Sequence, residues 1–310
     1  MSDIRHLISL NDLTDDELER IVWRGVSFGE ASAPQSDVLR DRIIGIYFSK
    51  TSTRTRTAFT VAALRLGARV ITYGPGDLQL NTGETIEDTA HVLAGMLDGL
   101  VMRTAGPTHE FRALAGHSMP VVNAMSAEEH PTQALADLTT LAARFGRITG
   151  LRVLYVGEGN NSAAALARAL PRFRDVELEF RTPPGYGLDP DVLAEAELTA
   201  KRCGSTVRER SDLADLPDGL DVVYTTRWNT TGTSKADPDW RTTFAPFQVD
   251  DSLMARHPGA VFMHDLPAHR GEEVTAEVLD GPASIAFDQA RHKLHSAMAV
   301  LEWCQRAVPS

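Results

Sequence analysis

Two rhythms of apolar residues alternate along the chain. Short, nearly unbroken runs stand at 42–48 (RIIGIYF), 69–74 (RVITYG), 99–103 (GLVMR) and 120–124 (PVVNA). Between the first two, Phe59, Ala62, Ala63 and Leu66 recur at helical spacing, and Gly67 follows as a stop signal. Earlier, Thr14, Asp15, Asp16 and Glu17 form a capping box ahead of Leu18, Ile21 and Val22, which predicts a first helix. Another apolar helical face, Leu138, Leu141, Ala142 and Phe145, ends at Gly146. A second series of runs follows at 151–157 (LRVLYVG), 176–181 (VELEFR), 221–226 (DVVYTT) and 260–266 (AVFMHDL). The chain closes on a helix with Leu294, Ala297, Met298 and Leu301 on one side.

Apolar runs separated by amphipathic helices are the pattern of parallel strands covered on both faces. The fold expected is α/β, with two doubly wound parallel-sheet domains and an inter-domain cleft. Such folds bind ligands outside the carboxyl ends of their strands. The expected boundaries are 1–134, completed by a C-terminal helix at 288–310, and 135–287.

Composition narrows the function classes. The chain has 310 residues, 43% hydrophobic and 24% charged, enough for two cores. Its net charge of −11 argues against a nucleic-acid partner, so any anion must meet a local cluster of cations. Cys203 and Cys304 match neither a zinc spacing nor a disulfide framework. No segment has the ~18 apolar residues of a membrane span, and no signal peptide opens the chain. A soluble, cytoplasmic protein is expected.

The densest polar stretch is Ser49-Lys50-Thr51-Ser52-Thr53-Arg54-Thr55-Arg56-Thr57, directly after the first predicted strand. At a strand end and a helix start, unpaired N–H groups, hydroxyls and forked guanidinium donors together make a phosphate cradle. Polar groups also mark other strand ends or helix starts: Arg103, His130 to Gln133, and His264-Asp265-Leu266-Pro267. Each alone is compatible with a cap, a surface ion pair or a buried hydrogen bond. Gly157, Gly159 and Ala164 form only a fragment of a dinucleotide fingerprint.

Taken together, these segments resemble the aspartate/ornithine carbamoyltransferase family, nearer its ornithine branch. The resemblance rests on STRTRT (52–57), HPTQALAD (130–137) and FMHDLPAHRGEEV (262–274), supported by GETIEDTAHVL, VGEGNN, DVVYTTRW and FDQARHKLHSAMAVL. It implies transfer of a carbamoyl group from carbamoyl phosphate to an amine, with phosphate released and no metal or organic cofactor. It implies that Ser52, Thr53, Arg54 and Thr55 hold the phosphate. Arg103, His130 and Thr55 would surround the carbonyl oxygen and Gln133 the carbamoyl nitrogen, with Leu266 and Lys293 completing that site. Asn160, Asn161, Thr226, Arg227, Thr230, Thr231, His264 and Asp265 would meet the acceptor. A homotrimer is implied too, with the loop near Gln79–Glu84 reaching a neighbouring copy.

The phosphate side matches the family better than the acceptor side. Asp265 stands where the ornithine enzymes carry Cys, and Thr226 where they carry Asp; Thr230 and Thr231 replace a Ser-Met pair. Arg227 resembles the aspartate branch, and Lys293 replaces an Arg. An anion beside the reacting nitrogen favours its ammonium form, so Asp265 is expected to orient the amine and relay its proton, or else only to pair with a cation such as Arg270. The expected acceptor is therefore an amine other than plain ornithine, such as 2,3-diaminopropionate or an amine of a specialised pathway. The alternatives are an authentic ornithine carbamoyltransferase, or a non-catalytic homologue that binds carbamoyl phosphate.

Overall fold

The computed structural model describes residues 4–30, 36–78, 82–229 and 234–305. The chain divides into two compact units, one of residues 1–139 with 292–310 and one of residues 140–291.

The first unit is built on a parallel sheet ordered β2-β1-β3-β4, with β1 (Ile43–Phe48), β2 (Arg69–Tyr73), β3 (Gly99–Arg103) and β4 (Val121–Asn123). The strands alternate with helices α1 (Asp15–Gly29), α2 (Arg54–Arg65), α3 (Ile86–Ala94), α4 (Thr108–Ala115) and the start of α5 (Pro131–Phe145). α1 begins where the capping box requires: the Thr14 hydroxyl accepts from Glu17 N–H, and the Glu17 carboxylate accepts from Thr14 N–H at 3.0 Å. β1 and β3 are interior strands and are almost wholly buried. β2 is an edge strand, and Ile71 on it is 43% exposed. Ile8, Tyr47, Leu93, Leu100, Phe111 and Val121 belong to one buried apolar cluster. The N-terminal segment is strapped on by Glu129, whose buried carboxylate accepts from the Ser9 hydroxyl at 2.6 Å and from Leu10 N–H at 2.8 Å.

The second unit carries a five-stranded parallel sheet ordered β7-β6-β5-β8-β9: β5 (Arg152–Val156), β6 (Glu177–Arg181), β7 (Thr206–Arg210), β8 (Val222–Thr225) and β9 (Val261–His264). Its helices are α6 (Asn161–Ala169), α7 (Pro190–Cys203) and the short α8 (Trp240–Phe244), α9 (Asp251–Ala255) and α10 (Ala276–Leu279). The closing helix α11 (Ala286–Gln305) counts with the first unit from His292 onward. Strand β7 has no counterpart among the apolar runs. It is an edge strand whose one buried residue, Val207, stands between the exposed Thr206 and Arg208.

Both strand orders reverse direction once. In the first sheet β1 is flanked by β2 and β3, so the chain leaves β1 and β3 toward opposite sides. In the second, the same reversal falls between β5 and β8. Such switch points leave a crevice at the carboxyl ends of the two strands. The segments they expose are 49–53 and 104–107 in one unit, and 157–160 and 226–229 in the other.

Candidate active site

Parallel register places the first group of side chains. Phe48 stands opposite Arg103 at the ends of β1 and β3, and Ser49 N–H donates to the Arg103 carbonyl at 3.0 Å, so the turns after the two strands lie side by side. α2 starts at Arg54, and Thr53 at its cap makes no side-chain capping bond. Arg103 Nη1 donates to Thr55 Oγ1 at 3.4 Å and lies 3.3 Å from His130 Nε2. Thr132 Oγ1 lies 3.3 Å from the other ring nitrogen, Nδ1. A guanidinium can only donate, so here His130 Nε2 is the acceptor and the ring proton sits on Nδ1. Burial first, and then the charges of Arg103 and Lys293, hold His130 well below the usual histidine range, which keeps the ring neutral.

Gln133 adjoins this group. Its Nε2 donates to the buried Asp137 carboxylate at 2.7 Å, and its Oε1 accepts from the Lys293 ammonium. Thr55, His130, Gln133 and Lys293 line one small cavity together. Ser52 and Thr53 line a second, larger cavity of about 360 Å³ with Lys50, Arg56 and Pro75. The expected carbamoyl phosphate residues of the first unit thus fall into two neighbouring groups joined by the start of α2. Arg54 is half-buried and lines neither cavity, whereas Arg56, the other guanidinium of the basic stretch, lines the larger.

The second group lies wholly within the second unit. Val156 pairs with Thr225, and Thr225 with His264, so β5, β8 and β9 end level and release Gly157, Thr226 and Asp265 side by side. Thr226 Oγ1 donates to one Asp265 carboxylate oxygen at 2.9 Å, and Ser162 Oγ donates to the other at 3.1 Å. Arg270 is engaged elsewhere, in two bonds to Asp280 at 2.9 and 2.6 Å, so it is not the cation of Asp265. His264 does not supply that cation through Nδ1, which accepts Leu266 N–H at 2.8 Å. Its proton lies on Nε2, 3.0 Å from the buried Glu273 carboxylate. Leu266 itself has φ +53° and packs against the second unit's core. Asn160 caps α6, its side-chain oxygen accepting from Ser162 and Ala163 N–H; Asn161 beside it is buried. Arg227 Nε donates to the Asn229 carbonyl at 2.6 Å. Thr230, Thr231 and Gln79 lie outside the described residues.

Gly157 and Gly159 have a local explanation that needs no dinucleotide. Gly157 has φ +137°, and a Cβ on Gly159 would lie 2.2 Å from the Gly187 carbonyl carbon. Glu129, Asp137, Ser162, Lys235 and Glu273 were not singled out from the sequence. Asp137 and Glu273 carried usable local signals, standing one helical turn beyond Gln133 and nine residues beyond His264, whereas Glu129, Ser162 and Lys235 meet partners far away in the chain.

His269, Glu272 and Glu273 in the second unit bring ligand-type atoms within 4.8 Å of one another, a spacing that alone does not make a metal site. Glu273 is committed there to His264 and to His269 N–H. The Cys304 thiol, buried in α11, is pushed up to about 12 by loss of solvent. No described helix is long and apolar enough to cross a membrane.

Comparison with known proteins matches the two halves of the chain separately. A sequence profile for the aspartate/ornithine carbamoyltransferase carbamoyl-P binding domain covers residues 5–143, and one for the Asp/Orn binding domain covers 149–304. The chain is 39% identical over 302 residues to an ornithine carbamoyltransferase of Symbiobacterium thermophilum, covering 96% of each. It is 36% identical over 302 residues to one from Methanothermobacter thermautotrophicus, covering 97% of this chain and 96% of that one. The solved ornithine carbamoyltransferase from Pyrococcus furiosus superposes with a TM-score of 0.90 at 37% identity, over 97% of both chains.

Proposed function

Because the chain belongs to the aspartate/ornithine carbamoyltransferase family, we propose that it moves the carbamoyl group of carbamoyl phosphate onto an amine of an amino acid and releases phosphate. The contact of Arg103 with both Thr55 and His130 at the first switch point carries this reading. The neutral amine attacks the carbonyl carbon, and the C=O electron pair moves onto oxygen. Collapse then breaks the bond to phosphate, which leaves with the electron pair and takes the amine's proton. Donors converging on the developing oxyanion are the main catalytic device. Arg103 and Thr55 supply them directly. His130 joins them when Arg103 turns its N–H to the substrate oxygen. The Thr132 hydroxyl can donate as readily as accept, so the ring proton can sit on Nε2 instead. Ser52, Thr53 and the first amides of α2 take the phosphate, with Arg54 and Lys50 balancing its charge. Gln133, oriented by Asp137 and Lys293, receives the carbamoyl N–H.

The names of the relatives favour ornithine as the acceptor over a different amine. One local observation supports a second reading with an altered acceptor. The carboxylate held between Thr226 and Ser162 comes from Asp265, so negative charge sits at the end of β9 rather than β8. Phosphate release from carbamoyl phosphate, measured with L-ornithine, 2,3-diaminopropionate and simple amines in parallel, decides between them. Turnover with ornithine alone establishes the first reading, and preference for another amine the second. No release with any acceptor refutes carbamoyl transfer itself. The family likeness also suggests a homotrimer. Exposed Leu64, Ile71, Val92 and Met96, all in the first unit, are consistent with it.

A further inference from the structure

The Lys235 ammonium is withdrawn from water in an unusual setting. Its side chain is only 3% exposed, and Nζ lies 2.6 Å from the Glu158 carboxylate. Three rings surround it, with Nζ at 4.6 Å from the Phe244 centroid, 4.7 Å from Tyr186 and 5.4 Å from Trp240. A buried ammonium is tolerated only with such compensation, from a carboxylate and from the negative faces of aromatic rings. Trp228 completes the cluster, edge-on to Trp240 at 6.5 Å and tilted against Phe244 at 5.6 Å. These residues form an apolar cluster separate from the unit's main core.

What this box connects gives it meaning. Glu158 stands two residues before Asn160, the cap of α6, in the segment that follows β5. Trp228 directly follows Thr226 and Arg227, in the segment that follows β8. These are the two segments at the second unit's switch point. We propose that Lys235 is a positioning residue for the amine acceptor. It ties the 157–162 and 226–229 segments together through Glu158 and the aromatic box, and so fixes where Asn160, Thr226 and Arg227 present their polar atoms. The inference rests on the reading of those residues as acceptor-binding. It assigns Lys235 no contact with substrate.

The test is a kinetic split in Lys235→Met, which fills the box without charge. The KM for L-ornithine, or for 2,3-diaminopropionate if that is the amine used, should rise about tenfold, while the KM for carbamoyl phosphate stays within about twofold. Lys235→Arg keeps a cation between Glu158 and the rings and should recover most of the loss. An unchanged acceptor KM in folded Lys235→Met overturns the proposal. So does an equal rise in both KM values, or a fall in kcat alone that tracks the folded fraction. Hydrogen exchange supplies a readout that needs no turnover. Amides of 157–162 and 226–229 should exchange faster in Lys235→Met while the β6 and β7 amides do not, and unchanged rates there overturn the tether. If Lys235→Met does not fold, Glu158→Gln should move the same two readouts in the same direction by a smaller factor. A wild-type protein that releases no phosphate with either amine refutes carbamoyl transfer. The exchange experiment still judges the tether in that case.

Discussion

Arg103 illustrates what single residues contribute and what they conceal. Its position at a strand end was legible, because a cation closing an apolar run is conspicuous. Its contacts were legible only through the family likeness, since Thr55 and His130 are distant in sequence. Arg103→Met should lower kcat/KM about 10²–10³-fold, the size of losing one oxyanion donor, with an unchanged thermal transition. Retained activity in a folded variant would remove Arg103 from the chemistry. His130 makes a prediction about pH. Its pKa is depressed in the folded state, so below its ordinary value the unfolded chain binds a proton that the folded chain refuses. Stability should therefore be full well above the ordinary histidine pKa of about 6.5 and be lost progressively as pH falls through and below it. His6 and His257 are shifted the same way, also chiefly by burial, and add to the slope. Denaturant titrations of His130→Gln across that window should show a shallower dependence, by less than one proton. An identical slope would mean that His130 is not held neutral.

Elements were more legible than contacts. The interior strands β1, β3, β5 and β8 announced themselves as apolar runs, because burial on both faces leaves little polar alternation, while β6 showed through Val176, Leu178 and Phe180 alternating with Glu177 and Glu179. The edge strand β7 did not, since its solvent-facing positions are Thr206, Arg208 and Arg210. Helices α3 and α4, only 9 and 8 residues long, offer little periodicity and were not separately predicted. The segment after β5 shows how an element boundary can mislead. Its glycines resemble part of a nucleotide loop, yet Gly159 is required by the Gly187 backbone pressed against it. Gly159→Ala forces backbone apart and should cost about 2 kcal/mol or more of stability by chemical denaturation. A loss below about 0.5 kcal/mol would show that this approach relaxes freely. Lys235 was illegible for a different reason. Its ion-pair partner lies 77 residues away, and nothing in the local composition links them.

At the scale of the whole molecule, the alternation of strands and helices was enough to read two parallel α/β units, and relatives matched over nearly the whole chain agree. The identity of the acceptor was not readable in this way. On the proposed reading it is set by side chains at three strand ends, and hydrophobic patterning says nothing about where a carboxylate points. Assembly is testable directly. If three copies associate through the first unit's exposed apolar residues, sedimentation should give about three times the 33.8 kDa chain mass, and Met96→Glu with Ile71→Lys should shift it toward monomer. A wild-type protein that sediments as a monomer at assay concentration removes the trimer.

The first unit is assembled from both ends of the chain, and Lys293 reaches Gln133 across 160 positions. On a ribosome, residues 140–291 are therefore all translated before the last helix of the first unit is available. The middle of the protein can mature while its beginning is still waiting for its end. A nascent chain stalled after Arg291 would hold the helix that bears Thr55 and the strand that bears Arg103 but lack the ammonium bonded to Gln133. The contact proposed to orient the carbamoyl nitrogen is thus completed only once α11 has been made.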